Sequence, residues 1–425
     1  MTGSLSFSKK RELDVLLLVF VFAIPFFNKF ETAIIGVIFF FSILEGISKK
    51  RISTGIFFWF LPALFLYYSI SELSTGGTIR DLEMRLYLIL IPLMVFVNPE
   101  FQRDDNRDGI YKSYILGNLA AMIFCICRAF VRSISIDNGQ WSFNPKVLRD
   151  TDYDFLTSSV MGGNYFFGED LSLFHHPTYA GIFIVFAQYL AFEIFNTTQS
   201  SRTRRLMVYC YIFFLGALFL LSSKAAILTS ILMSFWIFFR LKMRKPIKIY
   251  IVAAFAVVAL LFLFFNPRLK VFKDTLKTKD LIDPNARYGY DLRILSWDAS
   301  LTLISDHWLI GVGEARKKSA LGEVYKSKHY VVPAEKLHNS HNLYFDFMIG
   351  GGLIALTLFL VGMGNLFVIG WKQRNITLLV FLLIFCFNGL FENLLSRQSG
   401  VFFFAAFISL LTTKQGLAAD QSTKH

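Results

Sequence analysis

The sequence predicts an all-α integral membrane protein of about twelve transmembrane helices, with a large polar segment before a late span. Three observations carry that prediction. The chain has 425 residues, 55% of them hydrophobic and only 17% charged, where an ordinary soluble domain carries more charge. Apolar runs of roughly 17–25 residues recur, the length needed to cross about 30 Å of hydrocarbon. The runs are continuous rather than alternating, which selects helices over barrel strands, since backbone groups in lipid must be satisfied internally. The 49 Phe and 17 Tyr add large rings that suit lipid-facing surfaces.

The spans fall near residues 13–29, 32–47, 54–71, 84–98, 112–131, 176–195, 206–222, 224–240, 247–265, 343–370, 376–392 and 399–413. The whole chain, 1–425, thus reads as a single polytopic membrane domain. Only a turn near Ser222 and Ser223 joins the seventh and eighth spans, so these form a tight hairpin. The first run follows Lys9, Lys10 and Arg11 and has no small-residue cleavage site, so it is retained rather than removed as a signal.

Lysine and arginine in the short loops set the orientation. One side receives Lys9-Lys10-Arg11, Lys49-Lys50-Arg51, Arg103 with Arg107, Arg202-Arg204-Arg205, Lys242-Arg244-Lys245-Lys248 and Lys372-Arg374. The other receives Lys29, Arg80, Lys224 and Arg397. Both termini are therefore cytoplasmic, and two long polar segments, 132–175 and 267–342, face outward. The net charge of +13 lies mostly in loops between spans, which argues against nucleic acid as a partner and for a membrane surface. The four cysteines (Cys125, Cys127, Cys210, Cys386) sit inside apolar runs without CxxC spacing, so they read as small packed residues.

The 267–342 segment is too long for a linker and too aromatic for disorder, and loops of this length are usually functional. Within it, residues 291–306 place Leu292, Leu295, Ala299, Leu301 and Leu303 near helical spacing. They read as an amphipathic helix on the outer membrane surface, or as part of a lid without chemistry.

Candidate chemistry concentrates at the outward ends of spans. His175/His176 and His338/His341 form two pairs, and histidine titrates near neutral pH, which suits a general base. The alternative for each is an interfacial imidazole without a role. No acidic residue stands at HExxH-type spacing, so a metal is not expected. Lys224 opens the eighth span and Arg293 lies on the surface helix. Either cation can snorkel to headgroups or face a lipid-linked phosphate, which guanidinium geometry suits. Arg80 and Arg85 can extend such a patch. Ser340 or Asn342 can cap the tenth span, whose free N–H groups favour an anion. Gly350, Gly351 and Gly352 follow, and three glycines there imply either a closely approaching helix or a local break.

These residues together resemble the O-antigen ligase family, which also contains O-antigen polymerases. The stretch HNLYFDFMIGGGLIA is similar to the family's histidine–asparagine start, nine residues and glycine, on His341, Asn342 and Gly352; Ala355 replaces the usual closing residue. RILSWDASLTLISDHWLIGVG resembles the arginine–tryptophan segment ending in glycine–x–glycine, on Arg293, Trp297, Gly311 and Gly313. SSKAAILTS resembles the serine–arginine span start, with Lys224 in place of arginine. FHHPTYAG resembles the proline-containing start of an earlier span.

The resemblance implies a GT-C-like, metal-independent, inverting glycosyltransferase of a bacterial inner membrane, needing no cofactor and facing the periplasm. Its donor is a glycan on undecaprenyl diphosphate and its acceptor a hydroxyl of lipid A–core. It implies His341 as the base and Lys224 and Arg293 as diphosphate ligands, with Asn342, His338, His176 and Arg80 as auxiliary candidates. A polymerase of the same family, acting on a growing glycan, stays open, as does a capsule or protein glycan ligase. A lipid-linked glycan transporter is the reading from another class; the chain shows no convincing internal repeat, and Arg128 is the one charge placed near a span interior.

Overall fold

The structure, a computed structural model, describes residues 15–26, 36, 37, 39, 40, 59–97, 104–137, 139–147, 163–240 and 290–412. The expected span at 247–265, most of that at 32–47, residues 267–289 of the large segment, and the cations at 9–11, 49–51, 103 and 242–248 lie outside the described residues.

In chain order the helices are α1 (15–23), α2 (Phe60–Ser74), α3 (Tyr87–Val97) and α4 (Asp104–Arg132). A hairpin of β1 (Ile134–Asp137) and β2 (Gln140–Phe143) follows, then α5 (Gly168–Leu171), α6 (Pro177–Thr197), α7 (Ser201–Leu221) and α8 (Lys224–Arg240). The last group is α9 (Tyr290–Asp306), α10 (Lys317–Ser327), α11 (Val331–Lys336), α12 (Leu343–Lys372), α13 (Ile376–Gly389) and α14 (Gln398–Leu411). Among the described residues, Asn106–Arg132, Pro177–Thr197, Ser201–Leu221 and Leu343–Lys372 are long and apolar enough to cross a membrane, and α3, α13 and α14 are shorter apolar helices. This is the composition of an all-α membrane protein.

The chain divides into two compact units, residues 1–118 with 284–425, and residues 119–283. In the first, α14 is buried along nearly its whole length. Its rings pack on one another's neighbours: Phe402 meets Phe20 and Tyr87, Phe404 meets Phe60 and Phe385, and Phe407 meets Tyr114 and Phe381. Part of the phenylalanine content therefore builds this core, in edge and stacked geometries that add to area burial, while Phe124, Phe130 and Phe219 stay exposed.

In the second unit, α6 starts with Pro177 at its first turn, where a missing N–H costs nothing. A Cβ on Gly181 would stand 2.6 Å from that of Ala226, so the glycine lets α6 and α8 close together. The expected hairpin of α7 and α8 is present: Ser222 takes a left-handed cap (φ 53°), and Tyr211 Oη and Ser234 Oγ bridge the helices at 2.6 Å. The 132–175 segment carries the β-hairpin, with Ile134 opposite Phe143 and Asp137 opposite Gln140.

The helix that carries the candidate base is broken. Gly352 has φ 63° and ψ −156°, outside the helical region and open to glycine alone. The break exposes the Ile349 and Gly350 carbonyls, which accept from Val312 N at 2.8 Å and Gly313 N at 3.1 Å, while Leu353 N donates to Trp308 O at 2.8 Å. A Cβ on Gly352 would fall 2.3 Å from the Leu309 carbonyl. The glycine run thus serves both ends: Gly352 makes a break into which the 308–313 loop docks, and Gly351 admits the neighbouring helix α2, since a Cβ there would stand 2.5 Å from the Tyr67 ring.

Candidate active site

His341 stands just before α12 with φ 46°, a left-handed conformation uncommon for a side-chain-bearing residue. Asn339 Oδ1 holds its backbone N–H at 3.0 Å. Its Nδ1 lies 3.3 Å from Glu392 Oε1 and 3.4 Å from Oε2. Its Nε2 is shielded from solvent and, among the described residues, has no hydrogen-bond partner. Buried polar atoms are seldom left so, and a catalytic role is one of the explanations for an exception.

Asn342 is the α12 N-cap: its Oδ1 accepts from Tyr344 N at 2.9 Å and Phe345 N at 3.0 Å. Those N–H groups are therefore filled by the protein itself, so this helix start does not offer the anion site that its sequence suggests. The Asn342 Nδ2 donates to Leu390 O at 3.1 Å, which ties the start of α12 to the turn after α13. Ser340 Oγ supports it by donating to Asn342 O at 2.9 Å.

His338 lies beside this group, its ring centroid 5.7 Å from that of His341. Burial pushes its imidazole below the ordinary histidine range; His341 and Lys336 act the same way, and Glu392 offsets only part. Its Nε2 also lacks a partner among the described residues.

Arg293 is half-buried on α9, in the same unit, and among the described residues forms no hydrogen bond or ion pair. Trp297, one turn on, meets Phe345 edge-on at 6.2 Å, and Leu303 shares a core cluster with Ile349. Helices α9 and α12 therefore run in parallel, and Arg293 and His341 occupy their corresponding ends. The expected apolar face of α9 is present at Leu292, Leu295, Ala299 and Leu303, but Leu301 is 54% exposed and falls off it. The face packs on protein: Ala299 and Leu303 share their cluster with Leu321, Tyr325 and Ile349.

A second polar group lies at the helix break. Lys317 Nζ is 2.5 Å from Asp346 Oδ2 and 2.8 Å from Glu314 Oε2. Tyr67 Oη donates to Glu314 Oε1 at 2.9 Å, and Arg85 lies 3.9 Å from Glu314 Oε2, with its guanidinium 3.7 Å from the Tyr68 ring centroid. Arg85 also donates to Leu395 O. Burial would lower the Lys317 ammonium, but Asp346 and Glu314 outweigh it and hold it above the ordinary lysine range. Arg85 is thus committed inside the protein and does not extend a phosphate patch. Asp346 adds a buried charge to the tenth span, where the sequence reading placed none.

Arg80 is exposed on the 3-10 turn Ile79–Arg85. In the second unit, Lys224 is exposed at the first position of α8. His176 caps α6, with Nδ1 3.4 Å from Thr178 N and Nε2 3.2 Å from Glu169 Oε1, so both of its ring nitrogens are engaged. Arg128 Nη1 donates to Asp170 O at 3.4 Å.

An imidazole with one nitrogen on a carboxylate and the other open can take a proton from a hydroxyl. Glu392 is the member that sequence reasoning missed; an acid in the Asn-Gly-Leu-Phe-Glu-Asn break between two apolar runs was its only local signal. Among the described residues, no group of three or more His, Cys, Asp or Glu is arranged to hold a metal ion.

No curated protein matches the chain. The family described as O-Antigen ligase matches residues 209–360, a stretch that includes Lys224, Arg293, Trp297, His341 and Gly352. With His341 just ahead of a broken helix and the glycine–x–glycine loop seated in that break, this match supports assigning the chain to the O-antigen ligase family.

Proposed function

We propose that the chain transfers a glycan from undecaprenyl diphosphate to a sugar hydroxyl of lipid A–core at the periplasmic face of a bacterial inner membrane. The observation that supports this best is the His341 imidazole, engaged by Glu392 at Nδ1 and without a hydrogen-bond partner at Nε2 among the described residues. The family match indicates an O-antigen ligase type of activity. In the proposed reaction, Nε2 takes the proton of the acceptor hydroxyl as its oxygen attacks the anomeric carbon. The bond from that carbon to the phosphate oxygen breaks, and the electron pair leaves on the diphosphate. Attack opposite the leaving group inverts the anomeric centre. A positioned base contributes about 10²–10⁴-fold to such a step.

Arg293 is proposed to stabilise the charge that grows on the diphosphate, and its lack of a hydrogen bond or ion pair among the described residues supports that role. Lys224 is proposed as a donor-binding cation from its place in the matched stretch. Lysine supplies a point charge rather than a bidentate fork. Asn342 is proposed to act by capping α12, and His338 as a neutral neighbour of the base. His176 and Arg80 stay auxiliary candidates without a supporting contact. The chain needs no cofactor in this scheme, because the lipid donor carries its own leaving group.

The intermediate that accumulates in a deletion strain tests the reading. Full-length polymer left on the lipid carrier is the expected result. Accumulation of single repeat units instead would make the chain a polymerase acting on a growing glycan, and loss of a capsule or protein glycan alone would name a different acceptor.

A further inference from the structure

Glu392 is buried, 6% exposed, on the turn that joins α13 to α14. Two tethers bind this turn to the start of α12: the His341–Glu392 pair and the Asn342 amide on Leu390 O. The carboxylate is itself oriented, since Asn393 N donates to Glu392 Oε1 at 3.2 Å. An ionised carboxylate only accepts, so its imidazole neighbour must place a hydrogen on Nδ1. The lone pair then falls on Nε2, the nitrogen that no described protein group occupies. The backbone of His341 is fixed as well, by its left-handed φ and its bond to Asn339. The Glu392 contact thus sets ring and tautomer together, and the Asn339 contact sets the backbone.

We propose that Glu392 is a positioning residue for transfer, holding the His341 imidazole as the Nδ1–H tautomer so that Nε2 faces the acceptor hydroxyl. The inference rests on His341 being the base. Glu392 does not touch substrate and acts through the imidazole. It also stabilises the imidazolium that forms when the acceptor proton arrives, as a buried carboxylate does for a catalytic histidine elsewhere.

The test uses the purified full chain, reconstituted with undecaprenyl diphosphate-linked glycan and lipid A–core. Glu392→Gln keeps the shape but offers either end of an amide, and should lower kcat at least ~10-fold while leaving both KM values within about 2-fold, the pattern of an interaction made mainly in the transition state. Glu392→Asp should restore part of the loss. Magic-angle-spinning spectra of ¹⁵N-histidine protein, with His341 assigned by loss of its signals in His341→Asn, should show a protonated Nδ1 and a bare Nε2. An inactive His341→Ala beside a fully active Glu392→Gln would overturn the role of Glu392 and leave the base in place. Transfer by His341→Ala would overturn both. Should Glu392→Gln fail to fold, the wild-type spectrum decides alone, and a bare Nδ1 with a protonated Nε2 contradicts the proposal.

Discussion

Lys317 and Asp346 meet at 2.5 Å across the broken start of α12, with side chains only 12% and 8% exposed. Glu314 shares the same ammonium at 2.8 Å and is contributed by the loop that docks into the break. The pair therefore fixes the glycine–x–glycine loop against the helix that follows the candidate base. Removing one member of a buried ionic group leaves the others uncompensated, at about 3–5 kcal/mol. Lys317→Met should lower the midpoint of thermal unfolding in detergent well below that of wild type. Adding Asp346→Asn should recover part of the loss, and an unchanged midpoint in the single variant would show that the cluster is not structural.

The break at Gly352 makes a second prediction about the same junction. Alanine there would bring a Cβ to 2.3 Å from Leu309 backbone in a conformation with φ 63°. Apart from its own helix backbone, no atom of the described residues lies within 4 Å of a Cβ built on Gly364, further along α12. Gly352→Ala should thus destabilise the protein and reduce transfer, while Gly364→Ala should be neutral or gain up to about 1 kcal/mol from helix propensity. Equal behaviour of the two variants would mean that the break is not required.

The sequence made the helices legible where apolar runs are long, because hydropathy is a local property. Spans expected at 176–195 and 206–222 appear as Pro177–Thr197 and Ser201–Leu221. Boundaries moved where polar residues also form helix: α4 begins at Asp104, eight residues before the expected start at 112. The span expected at 376–392 ends at Gly389, and the three residues that follow form the turn that carries Glu392 to His341. Neither that pair, 51 residues apart, nor the group of Arg85, Glu314, Lys317 and Asp346 leaves a periodic trace. Such contacts depend on which helices pack together, and local spacing says nothing of that.

His338 ties stability to pH. Burial first, then His341 and Lys336, hold its imidazole below the usual histidine value. A depressed value means that the unfolded chain takes up the proton more readily, so the contribution to stability is present above about pH 6.5 and is lost as pH falls through the folded value. His338→Gln should therefore lose less thermal stability than wild type between about pH 7 and about pH 5. Parallel curves for the two proteins would rule out His338 as the source.

The cations make a kinetic prediction. A hydrogen bond to a charged group contributes about 1.5–3 kcal/mol, so Arg293→Ala and Lys224→Ala should each weaken donor use by roughly 10- to 100-fold in kcat/KM. Lys224→Arg should be tolerated, and EDTA should leave the rate unchanged. Full activity of Arg293→Ala would remove it from the diphosphate, and activity lost to EDTA and restored by a divalent ion would bring in a metal.

The central claim is that the His341 imidazole activates an acceptor hydroxyl for transfer from a lipid-linked diphosphate. It is tested most directly by incubating purified wild type and His341→Ala with the lipid-linked glycan and lipid A–core, and measuring glycosylated acceptor and released undecaprenyl diphosphate. The account predicts both products in equal amount from wild type and neither from the folded variant. Normal product formation by His341→Ala, or no transfer by wild type, would contradict it.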